Sequence, residues 1–137
     1  MQKEVFILDS NIWISYVITR QLHTLVTLIY AHHLTVITSQ HLVEEIQEVL
    51  SRPKFKKYLN QSDIKEVISL HLKLCRLVGT EEITNQLTDP KDNFLLNLYN
   101  SGEATLLISG DKELLREASE LKYHCMTLRE FELTYRL

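Results

Sequence analysis

The sequence contains only three glycines. They stand at positions 79, 102 and 110, a spacing that makes neither a G-x-x-x-x-G-K phosphate loop nor a G-x-G-x-x-G dinucleotide fingerprint. No H-E-x-x-H is present either. Cys75 and Cys125 are the only cysteines, and their spacing matches no zinc or redox motif. One disulfide is compatible with them, but two thiols in a reducing cytosol suit them better. No apolar run approaches the roughly 18 residues that span a membrane. Lys3 and Glu4 precede only a very short apolar run, unlike a secretory leader. A cytoplasmic protein is therefore expected. An excess of positive charge is missing too: net charge is −3 and the pI is near 6.1. That argues against gripping nucleic acid by bulk charge, but it is compatible with an acidic pocket neutralised by metal ions.

What remains is an ordinary globular composition, 45% hydrophobic over 137 residues. This predicts one domain, residues 1–137. A chain of this size buries roughly two-thirds of the surface its unfolded form exposes. Short β-rich runs at Glu4–Leu8, Leu34–Ser39 ("LTVITS"), Cys75–Gly79 ("CRLVG"), Ala104–Gly110 ("ATLLISG") and Tyr123–Leu128 ("YHCMTL") read as strands. The last of them reads as an edge strand. Helical spacing marks Asn11–Ile18, His23–His32, Ser39–Leu50, Pro90–Asn100, Asp111–Leu121 and a terminal helix. "KFKKYL" predicts a short helix with Pro53 in its first turn. "QSDIKEVISLHLKLC" predicts a longer one, with Asp63 and Glu66 as its capping box. Thr80–Thr88 reads as a polar loop. Strands alternating with helices imply an α/β fold with a parallel sheet covered on both faces.

Four carboxylates stand out by position. Asp9 ends the first strand in "FILDSNIWISY", and Asp111 follows "ATLLISG". Asp92 lies in the first turn of the helix after the polar loop. Glu45 lies on the helix after "LTVITS", on the border of the stripe formed by Leu42, Val43, Ile46, Val49 and Leu50, whereas Glu44 and Glu48 point to water. Chemistry in open parallel sheets gathers at the carboxyl ends of strands, and all four acids fall on or near that edge. Each aspartate also has a capping explanation, as in Asp89-Pro90-Lys91-Asp92, and Glu45 alone reads as a solvated-face residue. Capping does not explain four acids converging on one edge. Unneutralised, they would repel one another and take up protons. Divalent cations with a preference for oxygen ligands, Mg²⁺ or Mn²⁺, relieve that. Such ions lower the pKa of bound water and stabilise charge on a phosphate, which makes phosphodiester hydrolysis the expected chemistry.

The same segments resemble the PIN domain family of metal-dependent ribonucleases over nearly the whole chain. "ILDSN" resembles the family's opening strand and acid, and "TSQHLVEEIQEVLSRPKF" the segment carrying its glutamate, which falls on Glu45. "DPKDNFLLNLY" resembles the third acidic segment, with Asp92 as the metal-facing acid, and "LLISGDKELL" the fourth, with Asp111. The proline after "LSR" and the "DPKDN" form look most like a bacterial branch of toxin components of toxin–antitoxin pairs. The pattern departs at Leu95, Leu96 and Asn97, where the family usually leads to a small residue. The resemblance implies an α/β/α sandwich with a mostly parallel, roughly five-stranded sheet. It implies one or two Mg²⁺ or Mn²⁺ ions on Asp9, Glu45, Asp92 and Asp111, with Asn11 and Ser109 holding the carboxylates. It also implies cleavage of single-stranded RNA, a homodimer and, in the toxin branch, a small antitoxin protein as partner.

"RPKFKKY" is the only dense basic stretch. Arg52, Lys54, Lys56 and Lys57, with Phe55 and Tyr58 between them, are candidate phosphate and base contacts, or a solvated helix face. The six histidines are scattered and read as surface or boundary residues. Trp13 reads as core or a dimer contact, and Phe131 and Tyr135 as packing for the terminal helix. A phosphoryl-receiving signalling domain also has an acidic edge, but it needs an aspartate at the end of the third strand, and "CRLVG" ends without one. A free-standing RNA-processing nuclease and a catalytically idle RNA- or protein-binding module are the remaining alternatives.

Overall fold

Asp9, the acid at the end of the first strand, owes its place to a short apolar segment. In the computed structural model, which describes residues 3–82 and 85–136, VFIL forms β1 (Val5–Leu8), and Phe6, Ile7 and Leu8 have no exposed surface. A strand covered on both faces reads as a continuous apolar run in this way. β2 (Thr35–Thr38), β3 (Arg76–Leu77), β4 (Leu106–Ile108) and β5 (Cys125–Met126) complete a five-stranded sheet of order β3-β2-β1-β4-β5. Every pairing is parallel, with Phe6 opposite Val36 on one side and Leu106 on the other. β5 is an edge strand, as expected. The other edge is β3, two exposed residues long.

Among the described residues seven α-helices flank the sheet: α1 (Ser10–Ile18), α2 (Leu22–Ala31), α3 (Gln40–Leu50), α4 (Gln61–Leu74), α5 (Asn93–Ser101), α6 (Lys112–Glu120) and α7 (Leu128–Thr134). None is long and apolar enough to cross a membrane. Their starts are set by side chains that accept otherwise unpaired backbone N–H groups. Ser39 accepts from Leu42 at the start of α3. Thr127 and Glu130 form a capping box on α7. The capping box of α4 is Asn60 with Asp63, not Asp63 with Glu66. Both pairs have the required spacing, and the earlier one wins because Asn60 takes an extended backbone that lets its oxygen reach the Asp63 N–H at 2.8 Å. Pro53 opens a single 3-10 turn (Pro53–Phe55) rather than an α-helix. Pro90 opens another (Pro90–Asp92), which runs directly into α5.

The core lies on both faces of β1, β2 and β4. Trp13 on α1, Ile46 on α3, Leu95 and Leu96 on α5 and Phe131 on α7 are all buried in it. The two leucines that depart from the family pattern are thus fully enclosed. Gly102, just after α5, permits close approach: a Cβ there would collide with the Ile37 side chain. Phe6 meets Phe131 and Tyr135 edge-on, which ties the end of the chain to the central strand. Cys75 is buried and Cys125 half-buried, and both are free thiols.

One histidine departs from the surface reading. His71 is 1% exposed because Ile64, Val67 and His71 share the buried stripe of α4. Its Nε2 lies 2.8 Å from Thr38 Oγ1, and the Trp13 ring stands edge-on to it at 4.3 Å. Burial pushes the imidazole down to about 4 from its ordinary 6.5. In the unfolded chain the same ring charges below about pH 6.5, so unfolding takes up a proton between pH 6.5 and 4. Stability is therefore expected to fall as pH drops through that window. His71→Gln keeps a polar partner for Thr38 and cannot titrate there. Urea titrations of the two proteins across the window should diverge by about 1.4 kcal/mol per pH unit, roughly 3 kcal/mol in all. Parallel pH profiles would show that His71 stays as accessible to protons as in the unfolded chain.

Candidate functional site

A parallel sheet sends every strand out at the same edge, and the residues just past β1 and β4 meet there. The Asp9 N–H donates to the Ile108 carbonyl at 2.9 Å, extending the β1–β4 ladder by one bond. This brings Ser109, the residue after β4, against the Asp9 side chain. Asp9 is 6% exposed and Ser109 is fully buried.

The bonding around them is closed. The Ser109 hydroxyl donates to Asp9 Oδ2 at 2.8 Å. The same oxygen accepts from Asn11 Nδ2 at 3.2 Å and from the Asp111 N–H at 3.0 Å. One donor and two acceptor sites are all a hydroxyl has, so Ser109 is fully used. Asn11 Nδ2 also donates to Asp9 Oδ2 at 3.3 Å, and Asn11 Oδ1 accepts from the Gly110 N–H at 3.1 Å. Asp9 Oδ1 accepts from the Ser10 N–H at 2.7 Å, capping α1. Asp9 thus caps its helix as its sequence position allows: one oxygen starts the helix, and the other accepts from Ser109 and Asn11.

Asp111 caps α6. Its Oδ1 accepts from the N–H groups of Glu113 and Leu114 at 3.1 and 3.2 Å. Asp92 is half-buried at the start of α5. Glu45 is half-buried on α3, whereas Glu44 and Glu48 are exposed, as the helical stripe predicts.

The four acids share one electrostatic neighbourhood. Burial pushes the Asp9 carboxyl above its ordinary value; the bonds from Ser109 and Ser10 pull it back, and the charges of Glu45 and Asp111 push it up again. Burial also pushes Asp92 up, to about 6, helped by the charges of Asp89, Asp9, Asp111 and Glu45. No cationic side chain is among the groups that move either carboxyl. The donors of this cluster are the hard oxygens that Mg²⁺ and Mn²⁺ prefer. In donor chemistry the residues fit a divalent ion. They do not form a preassembled cage: among the described residues no three His, Cys, Asp or Glu side chains stand together closely enough to hold one.

From the sequence Asp89 reads as a cap. It does cap the 3-10 turn, accepting from the Lys91 N–H at 3.3 Å, yet its charge is also the largest electrostatic influence on Asp92. The D-P-K-D spacing was the available signal, because a 3-10 turn returns residue i+3 beside residue i. The end of the polar loop is anchored nearby, with the Thr88 N–H and hydroxyl donating to Glu117 at 3.0 and 2.7 Å.

The basic stretch is placed elsewhere. Arg52, Lys54, Lys56 and Lys57 follow the C-terminal end of α3, at least about 10 Å of helical rise beyond Glu45. Arg52 pairs with Glu48 at 3.0 Å. Lys54 lies over the Phe55 ring and Lys57 over Tyr58. Phe55 is buried, so of the two aromatic rings Tyr58 is the exposed one.

Residues 5–113, a span that includes all four acids, match a family model described as PIN domain. An uncharacterized protein of Methanocaldococcus jannaschii is 27% identical over 120 residues, covering 85% of this chain and 77% of the relative.

Proposed function

The chain belongs to the PIN domain family, generally a family of Mg²⁺-binding nucleases that act on RNA, and from that premise we propose that it hydrolyses phosphodiester bonds of single-stranded RNA at the edge formed by Asp9, Glu45, Asp92 and Asp111. The observation that carries this reading is the convergence of those acids: the charges of Glu45 and Asp111 bear on Asp9, and those of Asp9, Asp111 and Glu45 bear on Asp92.

Asp9, Asp92 and Asp111 would hold one or two Mg²⁺ or Mn²⁺ ions directly or through water, and Glu45 would join them or orient the attacking water. An ion bound there supplies positive charge for the phosphate and makes water a better nucleophile. Ser109 and Asn11 keep the Asp9 carboxylate in one orientation, so that its geometry is set before substrate arrives. The "DPKDN" segment and the proline after "LSR" support the further reading that the nuclease is the toxin half of a toxin–antitoxin pair, controlled by a small antitoxin protein and acting as a homodimer.

The test is cleavage of a single-stranded RNA with Mg²⁺, with Mn²⁺ and with EDTA. Cleavage is expected with either metal, absent in EDTA, and restored by excess metal. Cleavage that persists in EDTA would remove the metal from the reading. RNA that is bound but uncleaved in every metal would leave an idle binding module.

A further inference from the structure

A second feature lies beside the acids and is used by none of the steps above. His41 and Phe94 stack face to face, with ring centroids 4.0 Å apart and planes 12° from parallel. His41 is exposed and Phe94 half-buried. Both rings line a cavity of about 620 Å³ together with Asn93, Asn97, Glu81 and Glu82. Phe94 follows Asp92 by two residues at the start of α5, and His41 precedes Glu45 by one helical turn on α3. Each ring thus lies within one helical turn, along its own segment, of one of the acids.

We propose that this cavity binds one unpaired nucleobase of the substrate strand next to the cleaved phosphate, stacked against the His41–Phe94 pair. The proposal rests on the nuclease reading above. Several features select a base. Unstacked bases of single-stranded RNA are commonly taken up on Phe and His rings and read by polar groups at their edges. The volume lies within the roughly 300–1,000 Å³ of small-molecule pockets. Its charge disfavours a phosphate: Glu81 and Glu82 line it, and Lys91, its one lysine, already pairs with Asp89 at 3.7 Å. The carboxylates instead suit the N–H donors of an uncharged base; of the amides, Asn93 already accepts from the Leu87 N–H at 3.1 Å. The site supplies affinity and sequence preference, and the acids supply the chemistry.

The experiment measures binding and cleavage separately on a short fluorescein-labelled single-stranded RNA. Binding is read by anisotropy in EDTA, so that it does not depend on turnover. An abasic residue is then walked along the strand. For wild type, one abasic position should weaken binding about 5- to 150-fold, the ordinary worth of one base–aromatic stack. Phe94→Leu, which fills the space without an aromatic face, and His41→Ala should show a similar loss on intact RNA and little further loss at that abasic position. Phe94→Tyr should restore binding, which excludes a folding defect as the cause. Binding unmoved in Phe94→Leu, or losses that multiply with the abasic residue, would overturn the stacking site. Wild-type cleavage in Mg²⁺ is scored separately. If wild type cleaves and the variants bind normally, only the base site fails. If the base site behaves as stated and no metal supports cleavage, only the nuclease reading fails.

Discussion

Asp9→Asn is expected to lower RNA cleavage by about 10³-fold or more while leaving the chain folded. Electrostatic stabilisation of a phosphate by a bound ion is worth several kcal/mol, and each 1.36 kcal/mol is tenfold in rate. Asp9 is the most buried of the four acids and the one whose carboxylate is held by Ser109, Asn11 and Ser10. An amide in its place loses the charge and one acceptor oxygen. Two effects on stability then oppose each other. Removing a carboxylate that burial and two neighbouring acids already disfavour is stabilising. Facing an NH₂ group towards either the Ser10 N–H or the Asn11 amide is destabilising. The net change is expected to stay within about 1 kcal/mol, the usual worth of one hydrogen bond. Cleavage kinetics with saturating Mg²⁺ and Mn²⁺, beside a urea titration of the same variant, check both halves. Wild-type rates in a folded Asp9→Asn protein would remove the acidic edge from the chemistry.

Trp13→Ala is expected to cost about 3–5 kcal/mol, a large share of the stability of any domain this size. Trp13 is 1% exposed and its indole N–H donates to the Leu8 carbonyl at 3.1 Å. The ring edge meets His71 on α4. The side chain thereby joins α1 to the end of β1, one residue before Asp9, and to the helix behind it. Truncation leaves a cavity that close-packed neighbours fill only in part. Trp13→Phe should recover part of the loss, since it refills the space without the N–H bond. Because Trp13 is the only tryptophan, unfolding is followed by far-UV circular dichroism rather than by fluorescence. A loss below about 1 kcal/mol would mean that the site collapses around the smaller residue.

The His71 and Asp92 titrations act in opposite directions over overlapping ranges. His71 loses stability as pH falls from 6.5 towards 4. Asp92, raised from 3.8 to about 6, favours the folded state as pH falls through that range, because the native protein then holds the extra proton. The difference between wild type and His71→Gln isolates the histidine, since the acids are common to both.

The alternation of elements was legible in local sequence. Short β-branched runs and 3.6-residue stripes are properties of a few neighbouring residues, and β1, β2, α3, β4 and α6 fall where those patterns place them. The shared edge of Asp9 and Asp111 was legible for a related reason: parallel strands all leave their sheet on one side. The border position of Glu45 followed from helical spacing. Choices between equal local signals were not legible, as with Asn60–Asp63 against Asp63–Glu66. His71 shared the spacing of Ile64 and Val67, but its burial depends on Trp13 and Thr38, which arrive from distant parts of the chain. The bond between residues 9 and 109 and the stack of residues 41 and 94 form only when distant parts of the chain pack together. Periodicity says which face a residue takes on its own element; which element that face then meets is set by packing across the whole chain.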